Sequence, residues 1–271
     1  MPYHTVAQGE CLSTIAASYG FRDYRTVYND PANAEFREKR PNPNVIWGSA
    51  DVLWLPGQTS DALTPIQISG ITDAVEISVS GTTCFRRANG DLYCWGLNSF
   101  GQIGDGTLTD RPAPTQVQGI SGNAAQVGVG GWHSCARTTD GRVLCWGKNT
   151  EGNTGDGTNI SPRSSPVDTA LTNVRQIAVG RQHSCAIRGT GTVLCWGLND
   201  SGEVGDGTTV SRFSPTLVSL PTAAISVAAG TYFTGAVLGD GTLWCWGLND
   251  VGQLGTGDAL GHSADPVRVL F

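Results

Sequence analysis

The tripeptide Cys-Trp-Gly begins at Cys94, Cys145, Cys195 and Cys245, at intervals of 51, 50 and 50 residues. A period of this length constrains the fold strongly, because a unit too short to enclose its own core must bury its apolar face against the next copy. The same frame surrounds each tripeptide: "TTCFRRANGDLYCWGLN" at 82–98, "HSCARTTDGRVLCWGKN" at 133–149, "HSCAIRGTGTVLCWGLN" at 183–199 and "FTGAVLGDGTLWCWGLN" at 233–249. Upstream lie alternating apolar pairs, Ile77/Val79, Val127/Val129, Ile177/Val179 and Val227/Ala229. Downstream come "GQIGDGT", "GNTGDGT", "GEVGDGT" and "GQLGTGD", and each unit closes on a Pro-containing run. Three or four short strands per unit, punctuated by Gly, is the pattern of a propeller blade. Gly, at 37 of 271 residues, is about twice its usual share and stands between apolar runs, as many short strands require. The expected fold is mainly β: a propeller-like array of four blades, at 73–122, 123–173, 174–222 and 223–271.

The cysteines sit symmetrically in a hairpin. Cys135 and Cys145 flank the three-residue loop Thr139-Asp140-Gly141, whose last position favours a positive φ. Every unit has Gly there: Gly90, Gly141, Gly191 and Gly241. Three rungs out from the closing pair 138/142, the cysteines fall on a non-hydrogen-bonded pair with Cα atoms about 4.5 Å apart. That is the short edge of disulfide geometry. Cys84–Cys94, Cys135–Cys145 and Cys185–Cys195 are therefore candidate bridges, each stabilising by at most about 3 kcal/mol. The alternative is reduced thiols packed as small apolar groups. In the fourth unit Gly235 faces Cys245, so no bridge forms there, and Cys245 and Cys11 are expected to be free. The wide spacing within each pair argues for a structural role, not for the two-residue spacing of a redox motif.

Composition narrows the function. The net charge is −6, and neither residues 1–60 nor the remainder holds the basic excess that phosphate binding needs, so no nucleic-acid partner is expected. No apolar run is long enough to span a membrane. The opening "MPYHTVAQGE" lacks a secretory signal, while paired cysteines suggest an oxidising, extracytoplasmic destination. Localisation stays open on this reading, with export by another machine as one route. No nucleophile-elbow, zinc-protease or phosphate-loop motif is present, and no catalytic residue, metal or cofactor is assigned. His133 and His183 share a position with Thr82 and Phe233, which argues for scaffold or surface roles. Asp105, Asp156 and Asp206 of the "GDG" turns lack the dense oxygen spacing of a calcium loop and are expected to cap turns. Trp95, Trp146, Trp196 and Trp246 are expected in core layers. The units differ most just after these turns, which nominates Arg111, Arg163, Arg212 and Phe213 as protein-interaction residues, of types enriched at interfaces.

Residues 1–58 form a separate unit, followed by a linker and an extra strand-like copy, "LTPIQISGI", within 59–72. Tyr3 to Val6 is β-prone, Leu12, Ile15, Ala16 and Tyr19 recur at helical spacing, a second short helix ends at Pro31, and Val52 to Leu55 closes the unit. The order is strand, helix, helix, strand: a small α+β domain. With "TVAQGECLSTIAASYG" and the closing "VLWLPG", it resembles the lysin motif (LysM), although Gly48-Ser49 stands where Pro-Gly is usual. The resemblance implies a shallow groove for peptidoglycan or a chitin-like glycan, lined by Gln8, Gly9, Glu10, Cys11 and Leu12 and by Asn42, Asn44, Val45 and Ile46. The long "NDPANAEFREKRPNPN" is similar to LysM variants of phage-tail-like contractile injection machines, where the domain serves for packing.

Over 73–271 the frame "HSCA..DG.VLCWG.N..G..GDGT" resembles the repeats of the regulator-of-chromosome-condensation family. The resemblance implies a β-propeller that presents loops to a protein partner. Members usually carry seven blades, so a closed four-blade ring, an open arc and an assembly completed by another chain all remain open. The expected function is a non-enzymatic modular binding protein, attached to glycan by the LysM domain and to an unidentified protein by the propeller. The alternatives are a structural or cargo component of an injection apparatus and, behind it, a cell-wall hydrolase.

Overall fold

The computed structural model describes residues 70–259 and 261–270, residue 68, and the backbone of two short strands near the N-terminus. The chain divides into two compact units, Met1–Gly70 and Ile71–Phe271. In the first, β1 (Tyr3–Thr5) pairs antiparallel with β2 (Val52–Trp54), Tyr3 opposite Trp54. These are the first and last strands of the expected order. The two expected helices, Cys11, the groove residues Gln8 to Leu12 and Asn42 to Ile46, and most of the strand around Pro65 lie outside the described residues.

The second unit is all β. Its four sheets are antiparallel meanders of four strands, each in chain order. The first blade holds β3 (Ala74–Val79), β4 (Thr82–Arg87), β5 (Leu92–Gly96) and β6 (Arg111–Gln116). The second holds β7 (Ala124–Val129), β8 (His133–Thr138), β9 (Val143–Gly147) and β10 (Arg163–Asp168). The third holds β11 (Val174–Val179), β12 (His183–Arg188), β13 (Val193–Gly197) and β14 (Arg212–Leu217). The fourth holds β15 (Ala224–Ala229), β16 (Phe233–Leu238), β17 (Leu243–Leu248) and β18 (His262–Arg268).

The hairpin follows its local chemistry. Gly141 adopts φ 79°, and Thr138 N donates to Arg142 O, closing a hydrogen-bonded rung. Three rungs further out Cys135 faces Cys145 directly. All three expected bridges are present, with Cα–Cα distances of 4.1, 4.0 and 4.1 Å, and every bonded cysteine is fully buried. Gly235 faces Cys245, which is free and buried.

The apolar core lies between blades. Cys84, Leu92, Ile103 and Val117 of the first pack with Val127, Ala136 and Trp146 of the second, and the next two junctions repeat the pattern. Trp146, Trp196 and Trp246 are fully buried there, as core layers require. Trp95 departs from them. It is half-buried, edge-on to Phe85, because among the described residues no blade packs over it. The same step shows at Ile77, which is 65% exposed, while its counterparts Val127, Ile177 and Val227 are 4%, 4% and 3% exposed. The four blades thus form an open arc and not a closed ring.

Candidate functional site

Each long loop after the third strand is organised by one buried Asn. Asn98 Oδ1 accepts from Ile103 N at 2.9 Å, and its Nδ2 donates to Thr107 O at 3.1 Å and Thr109 O at 2.9 Å. Asn149, Asn199 and Asn249 repeat the role, their Oδ1 atoms accepting from Thr154, Val204 and Leu254 N. The signal was visible, since Asn follows Cys-Trp-Gly at the same place in all four units; its sameness marks a scaffold residue.

Within the loop, Asp105 Oδ1 accepts from Thr107 N at 3.0 Å and from Thr107 Oγ1 at 2.8 Å, the turn cap expected of it. Asp156 and Asp206 do the same. Burial pushes these carboxyls up, but bonds from the Thr and the nearby Arg prevail and hold each below its usual range. Those partners are the nominated arginines. Arg111 pairs with Asp105 at 2.6 Å, Arg163 with Asp156, and Arg212 with Asp206. Each guanidinium is half-buried in its own blade and ties the loop to the following strand, while Phe213 is exposed beside Arg212. The four residues are therefore not brought together into one outward-facing cluster.

Side-chain hydrogen bonds cross every junction between blades. Trp146 Nε1 donates to Gln102 O at 2.6 Å, Trp196 to Asn153 O at 3.1 Å, and Trp246 to Glu203 O at 2.8 Å. His133 Nε2 pairs with Ser184 Oγ at 2.7 Å and His183 Nε2 with Thr234 Oγ1 at 2.8 Å. Both histidines are buried scaffold residues. Burial, then the charges of His183 and Lys148, lower His133 to about 3, and burial alone lowers His183 to about 4.

The residues that do converge lie at the turns joining first and second strands. Trp132, Arg181 and Tyr232 come from three successive blades. The Arg181 guanidinium lies 6.0 Å from the Trp132 ring and 5.4 Å from the Tyr232 ring, and Lys148 Nζ lies 5.2 Å from Trp132. Phe100 extends the row, its ring 5.2 Å from that of Trp132. Such stacks hold long cationic side chains in place at low entropic cost. Beside the row opens a cavity of about 430 Å³ lined by Lys148, Glu151, Gln182, Asp200, Glu203 and Tyr232. Trp132 and Tyr232 correspond to Gln182 in the third blade and Gly81 in the first, so unit-to-unit variation did mark the position. Its weight was hidden because stacking joins residues about 50 positions apart.

Glu203 stands out at its repeat position. Gln102, Asn153 and Gln253 occupy it as amides, and each accepts from the backbone N–H two residues earlier. Glu203 Oε2 does so from Ser201 N at 2.9 Å, leaving Oε1 buried without a partner. Burial pushes this carboxyl up to about 7. The folded state then keeps a proton that the unfolded chain has lost, so stability falls as pH rises from 4.5 through 7. Glu203→Gln is expected to remove that loss. Urea unfolding at pH 8 should show a gain of about 2 kcal/mol over wild type, with little gain at pH 4.

Among the described residues no group of three His, Cys, Asp or Glu side chains could hold a metal ion, and no helix is long and apolar enough to cross a membrane.

Comparison with known proteins places the repeat. The regulator of chromosome condensation (RCC1) repeat model matches residues 89–137, 140–187, 190–237 and 240–271. The chain belongs to the RCC1-repeat family. No lysin-motif match accompanies the RCC1 repeats. The ultraviolet-B receptor UVR8 of Arabidopsis thaliana is 36% identical over 120 residues, 43% of this chain and 27% of the receptor. The human E3 ubiquitin-protein ligase HERC2 is 33% identical over 117 residues, 41% of this chain and 2% of the ligase. The chain thus spans a small part of these curated relatives. The crystal structure of Prp20p from Saccharomyces cerevisiae superposes with a TM-score of 0.68 at 22% identity, over 77% of this chain and 53% of Prp20p. Four RCC1 blades therefore correspond in fold to about half of that chain.

Proposed function

We propose that this chain is a non-catalytic binding protein of two units, in which the RCC1 blades hold a protein partner and the N-terminal unit attaches to a peptidoglycan-type glycan. The observation that carries the first part is the row Phe100, Trp132, Arg181 and Tyr232. Aromatic residues and Arg dominate interface energetics because they bury large areas with few rotatable bonds. Here the fold orders them before any partner arrives, which lowers the entropic cost of association. A parallel is Prp20p, similar to the blades in fold, which binds Gsp1p and histones. For the N-terminal unit, the pairing of β1 with β2 agrees with the strand order of the LysM-like reading.

Two measurements test the proposal. Full-length protein incubated with purified peptidoglycan is expected to sediment with it without releasing soluble fragments, and Gln8→Ala or Asn42→Ala should weaken the sedimentation. Release of fragments would make the protein a hydrolase, and no sedimentation would make the N-terminal unit a packing module. For the blades, cross-linking in a lysate of the source cells is expected to capture a partner that Trp132→Ala with Tyr232→Ala releases at least tenfold. Capture unchanged by that double variant would remove the row from the interface.

A further inference from the structure

The two ends of the RCC1 arc expose complementary surfaces. The leading face of the first blade carries Ile77 and Val79, each 65% exposed. The trailing face of the fourth blade carries Phe233, Val237 and Leu243, all half-buried, where their counterparts His183, Ile187 and Val193 are buried by the blade that follows. Three internal junctions show what covers a leading face in this molecule: the trailing face of another of its own blades. A surface shaped three times over to receive one kind of partner specifies that partner.

The structure assigns this role to a second copy of the chain: the trailing face of the fourth blade of one copy docks on the leading face of the first blade of another. The side-chain link that all three internal junctions share is retained in both halves at the open ends. In each junction the Trp of the following blade donates to a loop carbonyl, and its indole edge fills the space above a loop glycine. A Cβ built on Gly104, Gly155 or Gly205 would meet the Trp Nε1 at 2.8, 2.7 or 2.6 Å. At the free trailing end, Asn249 shapes the same loop, with Leu254 N donating to its Oδ1 at 3.0 Å, yet no indole lies over Gly255. At the open leading end Trp95 is half-buried, and no preceding blade among the described residues offers it the loop carbonyl that Trp146, Trp196 and Trp246 bond. Trp95 of one copy and the Gln253 carbonyl of the next complete the pair.

The junction would be weaker than those inside the chain. Gln126 and Gln176 each bond the backbone of the following blade, and Ser226 stands in their place. Phe233 likewise replaces the histidine that reaches across. The contact joins two different surfaces, so it is heterologous and leaves each copy able to use both ends.

Analytical ultracentrifugation of the full-length protein over a wide concentration range tests this. Wild type is expected to self-associate reversibly. Ile77→Glu puts a charge on the exposed leading face, and Leu243→Glu does so on the trailing face; each alone should give a monomer. An equimolar mixture of the two variants should recover a dimer, because one intact leading face and one intact trailing face remain. That recovery also shows that both variants are folded. Trp95→Phe, which removes only the indole donor, should weaken association about fivefold, the worth of about one hydrogen bond. A wild type that stays monomeric, whether residues 1–70 cover Ile77 or nothing docks there, overturns the assignment. So does association that survives either charge substitution, or a mixture of variants that stays monomeric.

Discussion

Acidification is expected to unfold the blades well before the surface carboxylates are exhausted. His133 and His183 are held neutral between blades, lowered to about 3 and about 4 from 6.5. An unfolded chain takes up both protons near pH 6.5 while the folded one refuses them. The unfolded state therefore binds more protons over this window, and stability, full above pH 6.5, declines as pH falls toward 4 and then 3. Two protons give a slope approaching ~2.7 kcal/mol per pH unit, and the loss by pH 4 is on the order of several kcal/mol. That is comparable with the whole stability of an ordinary domain. Urea midpoints of the Glu203→Gln variant, which lacks the opposing titration of that carboxyl, should fall steeply from pH 7 to pH 4 with a two-proton slope. His183→Phe copies the residue found at 233 and leaves Thr234 Oγ1 its second partner, the Glu203 carbonyl at 3.0 Å. It should reduce the slope to one proton, and an unchanged slope would show that His183 is not the titrating group.

Reduction of the three bridges is the second large effect. Each closes a loop with a sequence separation of 10, for which the chain-entropy model gives about 2.7 kcal/mol of stabilisation. Together they reach about 8 kcal/mol, less whatever order the reduced chain retains. Reduced protein is expected to unfold at a much lower urea concentration than oxidised protein, and Cys135→Ala with Cys145→Ala should account for about a third of the difference. The fourth blade is the internal control. A Cβ built on Gly235 lies 3.3 Å from Cys245 Sγ, so Gly235→Cys should add a bridge and raise the midpoint. In wild type, Cys245 is buried and its thiol is pushed up, so it should resist alkylation until the blade opens. Peptide mapping without reduction should recover only local pairs. A bridge between different repeats would overturn the hairpin register.

The sequence by itself determined the number and register of the blades, the three bridges and their absence from the fourth unit. These depend on neighbours within one hairpin: Gly141 selects the turn, the turn sets the rungs, and the rungs place Cys135 opposite Cys145. The Asp105, Asp156 and Asp206 caps were legible for the same reason, since their Thr partners are two residues away. Tertiary structure decided what depends on residues about 50 positions apart. Arg111, Arg163 and Arg212 looked free to meet a partner, but the loop geometry turns each back on its own blade's aspartate. His133 and His183 looked equivalent to Thr82 and Phe233, yet only a following blade with a hydroxyl in reach made them buried links. The row Trp132–Arg181–Tyr232 and the open ends marked by Ile77 and Leu243 belong to the same class. A repeat encodes the face it offers in its own residues, but whether that face is covered depends on the copy beside it.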